Sequence, residues 1–370
     1  MGIADDIKSL EDEIAKTKYN KATQFHIGKL KAKVARLKDE QIKRGSGGGG
    51  GVSFDVKRSG HATCGIVGLP SVGKSTLLNV LTGSTQSEVA SYEFTTLTVI
   101  PGLMEYRGAK IQILDMPGII KGAAKGKGRG REVLSVARGV DLIILVIDIL
   151  NPDTLPVVTH EVEEANIRLN KKKPDVAIYR TVKGGLDVRS TVSLTHLDVD
   201  YVKEIAGEFK ITNASIIIRK DLTPDELIDI FAANRVYMPG ILCCNKIDGL
   251  TPSEVKDRVE EFRKQGWEVV PTSASKGVGI EALQEAIYQK LKFVRIYLRP
   301  QGGETDFKDP LVVKYGSDIG AVCDMLHRDM RRDFRYAQVW GKSAKFPGQT
   351  LGLDHVLHDE DVLTLILRRG

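Results

Sequence analysis

The chain has 370 residues, more than one hydrophobic core usually supports, so we expect two to four domains. Its 54 lysines and arginines exceed its 48 acidic residues by only 6 charges, so the clustering of basic residues matters more than their total. No apolar run is long enough to cross a bilayer, and the 4 cysteines lack metal-ligand spacing. These features predict a reduced cytoplasmic protein that does not associate with membranes.

Residues 1–44 have the pattern of a helical hairpin with a break near Tyr19 and Asn20. Apolar residues recur at helical spacing in both arms, at Ile3, Ile7, Leu10, Ile14, Leu30, Val34 and Leu37. The second arm is strongly basic, which usually indicates a solvated face, with nucleic-acid contact as the alternative. Residues 45–51 are almost entirely glycine and are typical of a flexible linker.

From residue 52 to residue 293, strand and helix patterns alternate, which predicts an α/β fold with a mostly parallel sheet. The strands of this sheet are predicted at residues 64–67, 110–114, 141–149, 240–244 and 268–271. The domain is expected to comprise residues 52–167 and 237–293, interrupted by an inserted α+β subdomain at residues 168–236. In the insert we predict strands at 176–182, 188–194 and 215–218, a helix at 199–209, and a second helix capped by Thr223.

Residues 294–370 change character and follow the order β-β-α-β-β, which suggests a compact β-grasp (ubiquitin-like) module. Strands are predicted at residues 294–298, 311–313, 337–339 and 362–367, with one helix over residues 319–335. Four arginines would share one face of that helix: Arg328, Arg331, Arg332 and Arg335. Either the helix is solvated and internally paired, or this face contacts RNA.

The most informative motif is a glycine-rich loop between a predicted strand and a predicted helix, which matches G-x-x-x-x-G-K-[ST]. Such a loop turns backbone N–H groups towards a polyphosphate, and the helix N-terminus adds positive partial charge. Lys74 is expected to reach the β- and γ-phosphates, and the Ser75 hydroxyl to ligate Mg²⁺. The predicted phosphate-binding residues are Gly68, Pro70, Ser71, Val72, Gly73, Lys74, Ser75 and Thr76.

A second motif predicts recognition of guanine. The carboxylate of Asp248 can accept the N1–H and the exocyclic amine of guanine together, a pair of donors that adenine lacks. Asn245 would bond N7 and brace the loop, the Lys246 stem would cover one face of the base, and the Ala274 N–H would meet O6. The predicted guanine-binding residues are Asn245, Lys246, Asp248, Ser273, Ala274 and Ser275.

Between these motifs lie two predicted γ-phosphate sensors. Asp115 would hold Mg²⁺ through water, and the Gly118 N–H would contact the γ-phosphate. Upstream, Thr96 is favoured over Thr95 as the threonine that closes over Mg²⁺. The predicted catalytic residues are therefore Lys74, Thr96 and Gly118, and the predicted metal ligands are Ser75, Thr96 and Asp115.

Ile119 stands where Ras-like enzymes carry the glutamine that orients the attacking water, so we expect slow hydrolysis by the isolated chain. A bound partner or a monovalent cation such as K⁺ could supply the missing charge. The basic, glycine-rich segment that follows is either merely solvated or contacts RNA in a way coupled to the GTP state. Its candidate RNA contacts are Lys121, Lys125, Lys127, Arg129 and Arg131.

With these motifs, the chain resembles the DRG family, the developmentally regulated GTP-binding proteins within the Obg–HflX-like translation-factor GTPases. The resemblance spans nearly the whole length, at residues 21–26, 54–60, 68–76, 92–96, 115–131, 167–170, 194–196, 237–239, 245–248 and 357–362. It implies an insert like the second domain of a small-subunit ribosomal protein and a C-terminal TGS domain. It also implies work on the ribosome, rRNA or tRNA, with a small regulatory protein partner in eukaryotic members.

One residue departs from the pattern of potassium-dependent relatives. Those relatives often carry asparagine where this chain has Ser71, and this difference counts against activation by K⁺.

The leading hypothesis is a GTP-hydrolysing switch, and the main alternative is a GTP-gated RNA- or protein-binding module in which hydrolysis is incidental. An ATP-using kinase or ATPase of the phosphate-loop class is a third possibility, which guanine recognition by Asp248 would exclude.

Overall fold

The computed structural model describes residues 2–18, 20, 23–44, 60–83, 100–116, 136 and 139–368. Several predictions lie outside these residues: the linker at 45–51, Thr95, Thr96, Gly118, Ile119 and the basic segment from Lys121 to Arg131. The chain divides into two compact units. The first unit comprises Met1–Ser53 with Asn166–Tyr237, and the second comprises Phe54–Ala165 with Met238–Gly370.

The elements of the described residues are numbered in chain order. The helices are α1 (Ile3–Lys16), α2 (Gln24–Arg44), α3 (Lys74–Leu81), α4 (Thr154–Glu164), α5 (Val199–Glu208), α6 (Pro224–Ala232), α7 (Pro252–Lys264), α8 (Ile280–Leu291), α9 (Ile319–Leu326) and α10 (Met330–Asp333). The strands are β1 (Ala62–Val67), β2 (Ile100–Tyr106), β3 (Ala109–Asp115), β4 (Leu142–Asp148), β5 (Ile167–Leu169), β6 (Val176–Arg180), β7 (Leu186–Ser190), β8 (Ala214–Ile218), β9 (Val236–Met238), β10 (Gly240–Asn245), β11 (Val269–Pro271), β12 (Phe293–Leu298), β13 (Leu311–Lys314), β14 (Phe334–Trp340), β15 (Gln349–Leu351) and β16 (Asp361–Leu367).

The second unit contains a 6-stranded sheet in the order β11-β10-β4-β1-β3-β2. All of its pairings are parallel except β2 with β3. The five predicted strands of this sheet are confirmed, and they are buried because helices cover a parallel sheet on both faces. The carboxyl ends of β1, β3, β4 and β10 therefore lie along one edge, which is where ligands bind in such sheets.

The same unit ends in a 5-stranded sheet in the order β13-β12-β16-β14-β15, with only β12 and β16 parallel. This is the strand order of a β-grasp fold, as predicted. The single helix predicted over residues 319–335 is wrong, because α9 ends at Leu326 and His327 is extended, with φ −164° and ψ 138°. Phe334 already belongs to β14, where it pairs with Leu367 of β16.

The four arginines of this region consequently do not share one helical face. Arg331 pairs with Asp324 at 2.5 Å, and Arg332 pairs with Asp329 at 3.1 Å. The Arg335 guanidinium lies 5.7 Å from the centre of the Tyr336 ring. These contacts favour the solvated, internally paired interpretation of this segment.

The first unit contains the 3-stranded sheet β6-β8-β7, with α5 and α6 packed on it. The predicted cap of α6 is confirmed, because the Thr223 hydroxyl accepts the Glu226 N–H and the Glu226 carboxylate accepts the Thr223 N–H. The two predicted helices of the hairpin are also present, and Ile7, Val34 and Leu37 pack between them. No helix of the described residues has the length and apolarity that crossing a membrane requires.

Helix α2 belongs to the core of this unit. Ala32 is fully buried in one cluster with residues of α5 and α6, among them Tyr201, Ile205 and Leu227. Several basic residues of α2 form ion pairs within this unit, such as Lys31 with Asp225 at 2.9 Å. The basic run of α2 is therefore partly a packing surface within the unit.

Candidate nucleotide-binding site

The loop between β1 and α3 depends on its glycines. Gly73 has a φ of 94°, in the left-handed region, and a Cβ there would collide with the Asn245 amide nitrogen. A Cβ on Gly68 would collide with the carbonyl oxygen of Val146 in β4. The loop thus passes against two neighbouring strands with no room for side chains, and it ends at the N-terminus of α3.

Lys74, the first residue of α3, has its side chain folded back over this loop. Its Nζ donates to the Leu69 carbonyl oxygen at 2.9 Å. Burial lowers the pKa of Lys74, and the negative charge of Asp115 partly opposes that shift. An ammonium held in this half-buried position can bind an anion placed within the loop.

Ser75 and Asp115 form the part of the site that could hold a cation. The Ser75 hydroxyl donates to Asp115 Oδ2 at 2.9 Å, at the carboxyl end of β3. Asp115 is 5% exposed, and its Oδ1 is buried with no hydrogen-bond partner among the described residues. A buried acceptor without a donor, beside a hydroxyl, fits a hydrated Mg²⁺ ion, which binds to few protein ligands together with phosphate oxygens.

Asn245, the last residue of β10, connects three segments of the site. Its Nδ2 donates to the Val72 carbonyl oxygen of the glycine-rich loop at 2.8 Å. Its Oδ1 accepts the Ala274 N–H at 2.9 Å and the Thr272 hydroxyl at 3.3 Å. The amide therefore braces the loop, while the contacts predicted for Asn245 with N7 and for the Ala274 N–H with O6 stay predictions.

Asp248 lies three residues beyond Asn245 and presents an exposed carboxylate. The Ser273 hydroxyl donates to Asp248 Oδ1 at 2.5 Å, and this bond lowers the pKa of Asp248. The Ser275 hydroxyl lies 3.3 Å from that of Ser273. The segment after β11 thus orients a carboxylate that is charged at neutral pH.

Lys246 has a partner that sequence reasoning missed. Its Nζ donates to Asp148 Oδ2 at 2.8 Å, and Asp148 is the last residue of β4. Burial alone would raise the pKa of Asp148, but the hydrogen bonds from Lys246 and the Leu150 N–H outweigh it and lower that pKa. The signal available in the sequence was an aspartate at the end of a buried apolar strand, a position that Asp115 also has in β3.

The structure thus brings together the predicted residues of the glycine-rich loop, Asp115, the segment 245–248 and the segment 273–275. Of the loop residues, Val72 is buried, whereas Pro70, Ser71, Ser75 and Thr76 are exposed. Ser71 is also left-handed, with a φ of 66°. The predicted contributions of Thr96, Gly118 and the residues from Lys121 to Arg131 lie outside the described residues.

Comparison with known proteins identifies the domains that carry this site. Residues 63–180 match the family described as 50S ribosome-binding GTPase, and residues 183–293 match the C-terminal region of that domain. Residues 294–367 match the TGS domain.

Three relatives align along nearly the full chain. It is 52% identical to an uncharacterised GTP-binding protein of Methanocaldococcus jannaschii, over 100% of this chain and 94% of that protein. It is 44% identical to developmentally-regulated GTP-binding protein 2 of Homo sapiens, over 99% and 100% of the two chains. The chain belongs to the DRG family.

A third relative carries a more specific name. The chain is 46% identical to ribosome-interacting GTPase 1 of Saccharomyces cerevisiae, over 97% of this chain and 98% of that protein. DRG membership makes this chain a GTP-binding protein with a GTPase domain and a TGS domain, in agreement with the resemblance drawn from its motifs. GTPases of this class generally use Mg²⁺, which fits the pairing of Ser75 with Asp115.

Proposed function

We propose that this DRG-family protein hydrolyses GTP to GDP and phosphate and acts as a molecular switch. The observation that carries the proposal is the position of Asn245, whose amide ties the glycine-rich loop to the segment bearing Ala274. These contacts support the proposal because they hold the predicted phosphate-binding and base-binding residues together. The exposed carboxylate of Asp248 lies three residues beyond Asn245.

The phosphate half of the site uses residues of β1, α3 and β3. Lys74 would exchange its bond with the Leu69 carbonyl for the β- and γ-phosphate oxygens, because phosphate offers full negative charge where the carbonyl offers a dipole. Ser75, Asp115 and Thr96 would hold Mg²⁺, whose charge stabilises the developing charge on the transferred phosphoryl group. Gly118 would sense the γ-phosphate through its N–H.

The base half uses residues that follow β10 and β11. Asp248 would accept the N1–H and the amine of guanine, while the Ser273 hydroxyl, which donates to its Oδ1, would hold the carboxylate in place. Without a glutamine at position 119, the chain has no side chain there to orient water, so turnover would depend on K⁺ or on a protein partner.

A role on the ribosome is supported by the name of the yeast relative, which is a ribosome-interacting GTPase. The candidate contacts of this chain with rRNA or tRNA are the basic residues from Lys121 to Arg131, which directly follow the predicted γ-phosphate sensor. We propose a cytoplasmic protein that binds ribosomes, with a small regulatory protein as a further partner. A GTP-gated binding module, in which hydrolysis is incidental, is the second candidate, and Ile119 favours it.

Base recognition is tested with Asp248→Asn. An amide at position 248 can pair with the 2-carbonyl of xanthine but loses an acceptor for guanine, so we expect affinity to move from GDP towards xanthosine diphosphate by roughly 100-fold. Isothermal titration calorimetry with both nucleotides measures this change. Parent protein that binds ADP as tightly as GDP would refute guanine recognition.

The two candidate functions differ in turnover. A switch predicts that ribosomes or K⁺ raise the single-turnover rate of GTP hydrolysis above the rate in Na⁺ alone. A gated binding module predicts tighter ribosome co-sedimentation with a non-hydrolysable GTP analogue than with GDP, at an unchanged hydrolysis rate. Equal co-sedimentation in both nucleotide states, together with unstimulated hydrolysis, would contradict both functions.

A further inference from the structure

Asp148 is a buried carboxylate that accepts hydrogen bonds from the Leu150 backbone and from the side chains of Lys246 and Asn151. It ends β4, and its side chain is 12% exposed, whereas that of its partner Lys246 is 41% exposed. Its Oδ1 accepts the Leu150 N–H at 3.0 Å, and its Oδ2 accepts the Lys246 ammonium at 2.8 Å. The backbone of the turn after β4 fixes the Asp148 carboxylate. The position of the more exposed Lys246 ammonium is therefore set by Asp148, and not the position of Asp148 by Lys246.

The backbone of Lys246 needs such a restraint. Its φ of 67° and ψ of 36° are left-handed, a conformation that costs a residue with a Cβ about 1–2 kcal/mol. Strained backbone of this kind persists only where surrounding contacts enforce it. The backbone of the turn is also held by the Ile247 N–H, which donates to the Thr272 carbonyl oxygen at 3.2 Å, but the side chain of Lys246 itself is held by Asp148.

This restraint bears directly on base recognition, because Asp248 follows Lys246 by two residues in the same turn, Ile247–Gly249. The Ser273 hydroxyl holds Oδ1 of the Asp248 carboxylate, and a change in the Lys246 backbone would move Asp248 relative to that hydroxyl and redirect the carboxylate. The phosphate-binding loop is held separately, through Asn245 and the backbone of Val72.

We propose that Asp148 is a positioning residue for guanine recognition, which holds the Lys246 ammonium and thereby sets the direction of the Asp248 carboxylate. The assignment rests on the guanine-nucleotide binding proposed above. It deepens that function by adding a residue outside the guanine-binding motif that acts on the base half of the site and leaves the phosphate half in place.

The test compares GDP with inosine diphosphate, which lacks the exocyclic amine that Asp248 is proposed to accept. In the full-length protein with Mg²⁺, Asp148→Asn should weaken GDP binding about tenfold and inosine diphosphate binding about threefold, so that the preference for GDP falls. Calorimetric titration gives both affinities on the same folded sample. A merely structural role would weaken both nucleotides by the same factor, which would overturn the assignment.

Lys246→Met provides the second variant, because it removes the ammonium from a half-exposed side chain and should fold even where Asp148→Asn does not. It should reproduce the fall in preference, and the double variant should add little to either single one. Additive effects would refute the proposed coupling.

The matched control is Asp141→Asn at the start of the same strand. Asp141 also accepts a backbone N–H, from Thr63 at 3.0 Å, and a lysine, Lys314 at 2.7 Å, but it directly precedes β4, at the opposite end of the strand from Asp148 and the guanine motif. The Asp141→Asn variant should prefer GDP over inosine diphosphate as strongly as the parent protein does. A weaker preference in Asp141→Asn would contradict a specific role of Asp148. Parent protein with no preference for GDP over ADP would reject the proposed function, whereas an unchanged preference in Asp148→Asn rejects this inference alone.

Discussion

At the scale of single residues, Asn245 connects the glycine-rich loop to the segment after β11. It is 2% exposed, and both ends of its amide are bonded inside the protein, to Val72, Thr272 and Ala274. Those partners come from the glycine-rich loop and from the segment after β11. Because these bonds join protein groups alone, the amide can hold the loop and the base segment together, which would reduce the ordering that binding must drive.

Replacing Asn245 should therefore loosen the glycine-rich loop and the segment after β11 even when no nucleotide is bound. Asn245→Ala leaves the Val72 carbonyl and the Ala274 N–H buried without partners, at about 1–3 kcal/mol for each group. We expect the Ala274 N–H to lose protection in hydrogen exchange of the nucleotide-free protein, and GDP affinity to fall with it. Asn79→Ala, an exposed position on α3, is the control and should change neither. Unchanged protection of Ala274 would show that the loop is held by other contacts.

Sequence reasoning found the residues of this site that belong to short motifs and missed one that does not. Lys74, Ser75 and Asp248 could be predicted as site residues because the spacing within a motif is fixed by the ligand it binds. Asp148 lies 98 residues from Lys246, and the two meet only because β4 and β10 are neighbours in the sheet. That neighbour relation follows from the topology, and no local pattern encodes it.

At the scale of elements, buried strands were the easiest to predict. β1 and β4 are continuous apolar runs bounded by polar or glycine-rich segments, and no helix of ordinary length fits them. β2 was missed because Pro101 and Gly102 interrupt its sequence, and both residues argue against a strand. Both residues are tolerated there because, among the described residues, β2 is the edge strand of the sheet and pairs with β3 alone.

The helix predicted over residues 319–335 failed for a different reason. Its apolar residues, Ile319, Val322 and Cys323, pack in the core of the β-grasp sheet, and that face ends with α9. Beyond it, the chain must return to the sheet at Phe334, so the helical spacing of the arginines carries no information about a common face. Local propensity was overruled by the position of the next strand.

At the scale of the whole molecule, the N-terminal hairpin and the insert belong to one compact unit although more than a hundred residues separate them. The sequence predicted each of them from its own periodicity, but nothing in either pattern identifies the other as its packing partner. Ala32 illustrates the difficulty, since a small residue on a basic helix gives no sign that it is fully buried. All described residues of the nucleotide site lie in the other unit.

This division predicts that the first unit can be loosened without loss of the nucleotide site. Ala32→Glu places a carboxylate in the cluster formed by Tyr201, Ile205 and Leu227, and burying an unpaired charge costs several kcal/mol. We expect α2 and α5 to lose protection together in hydrogen exchange, while β1 and β4 keep theirs and GDP affinity stays at the parent value. Lys33→Glu is the control, because position 33 is exposed on the same helix, and it should leave both helices protected. Loss of protection in α2 alone would mean that the hairpin folds as a separate body, and the division of the chain would have to be redrawn.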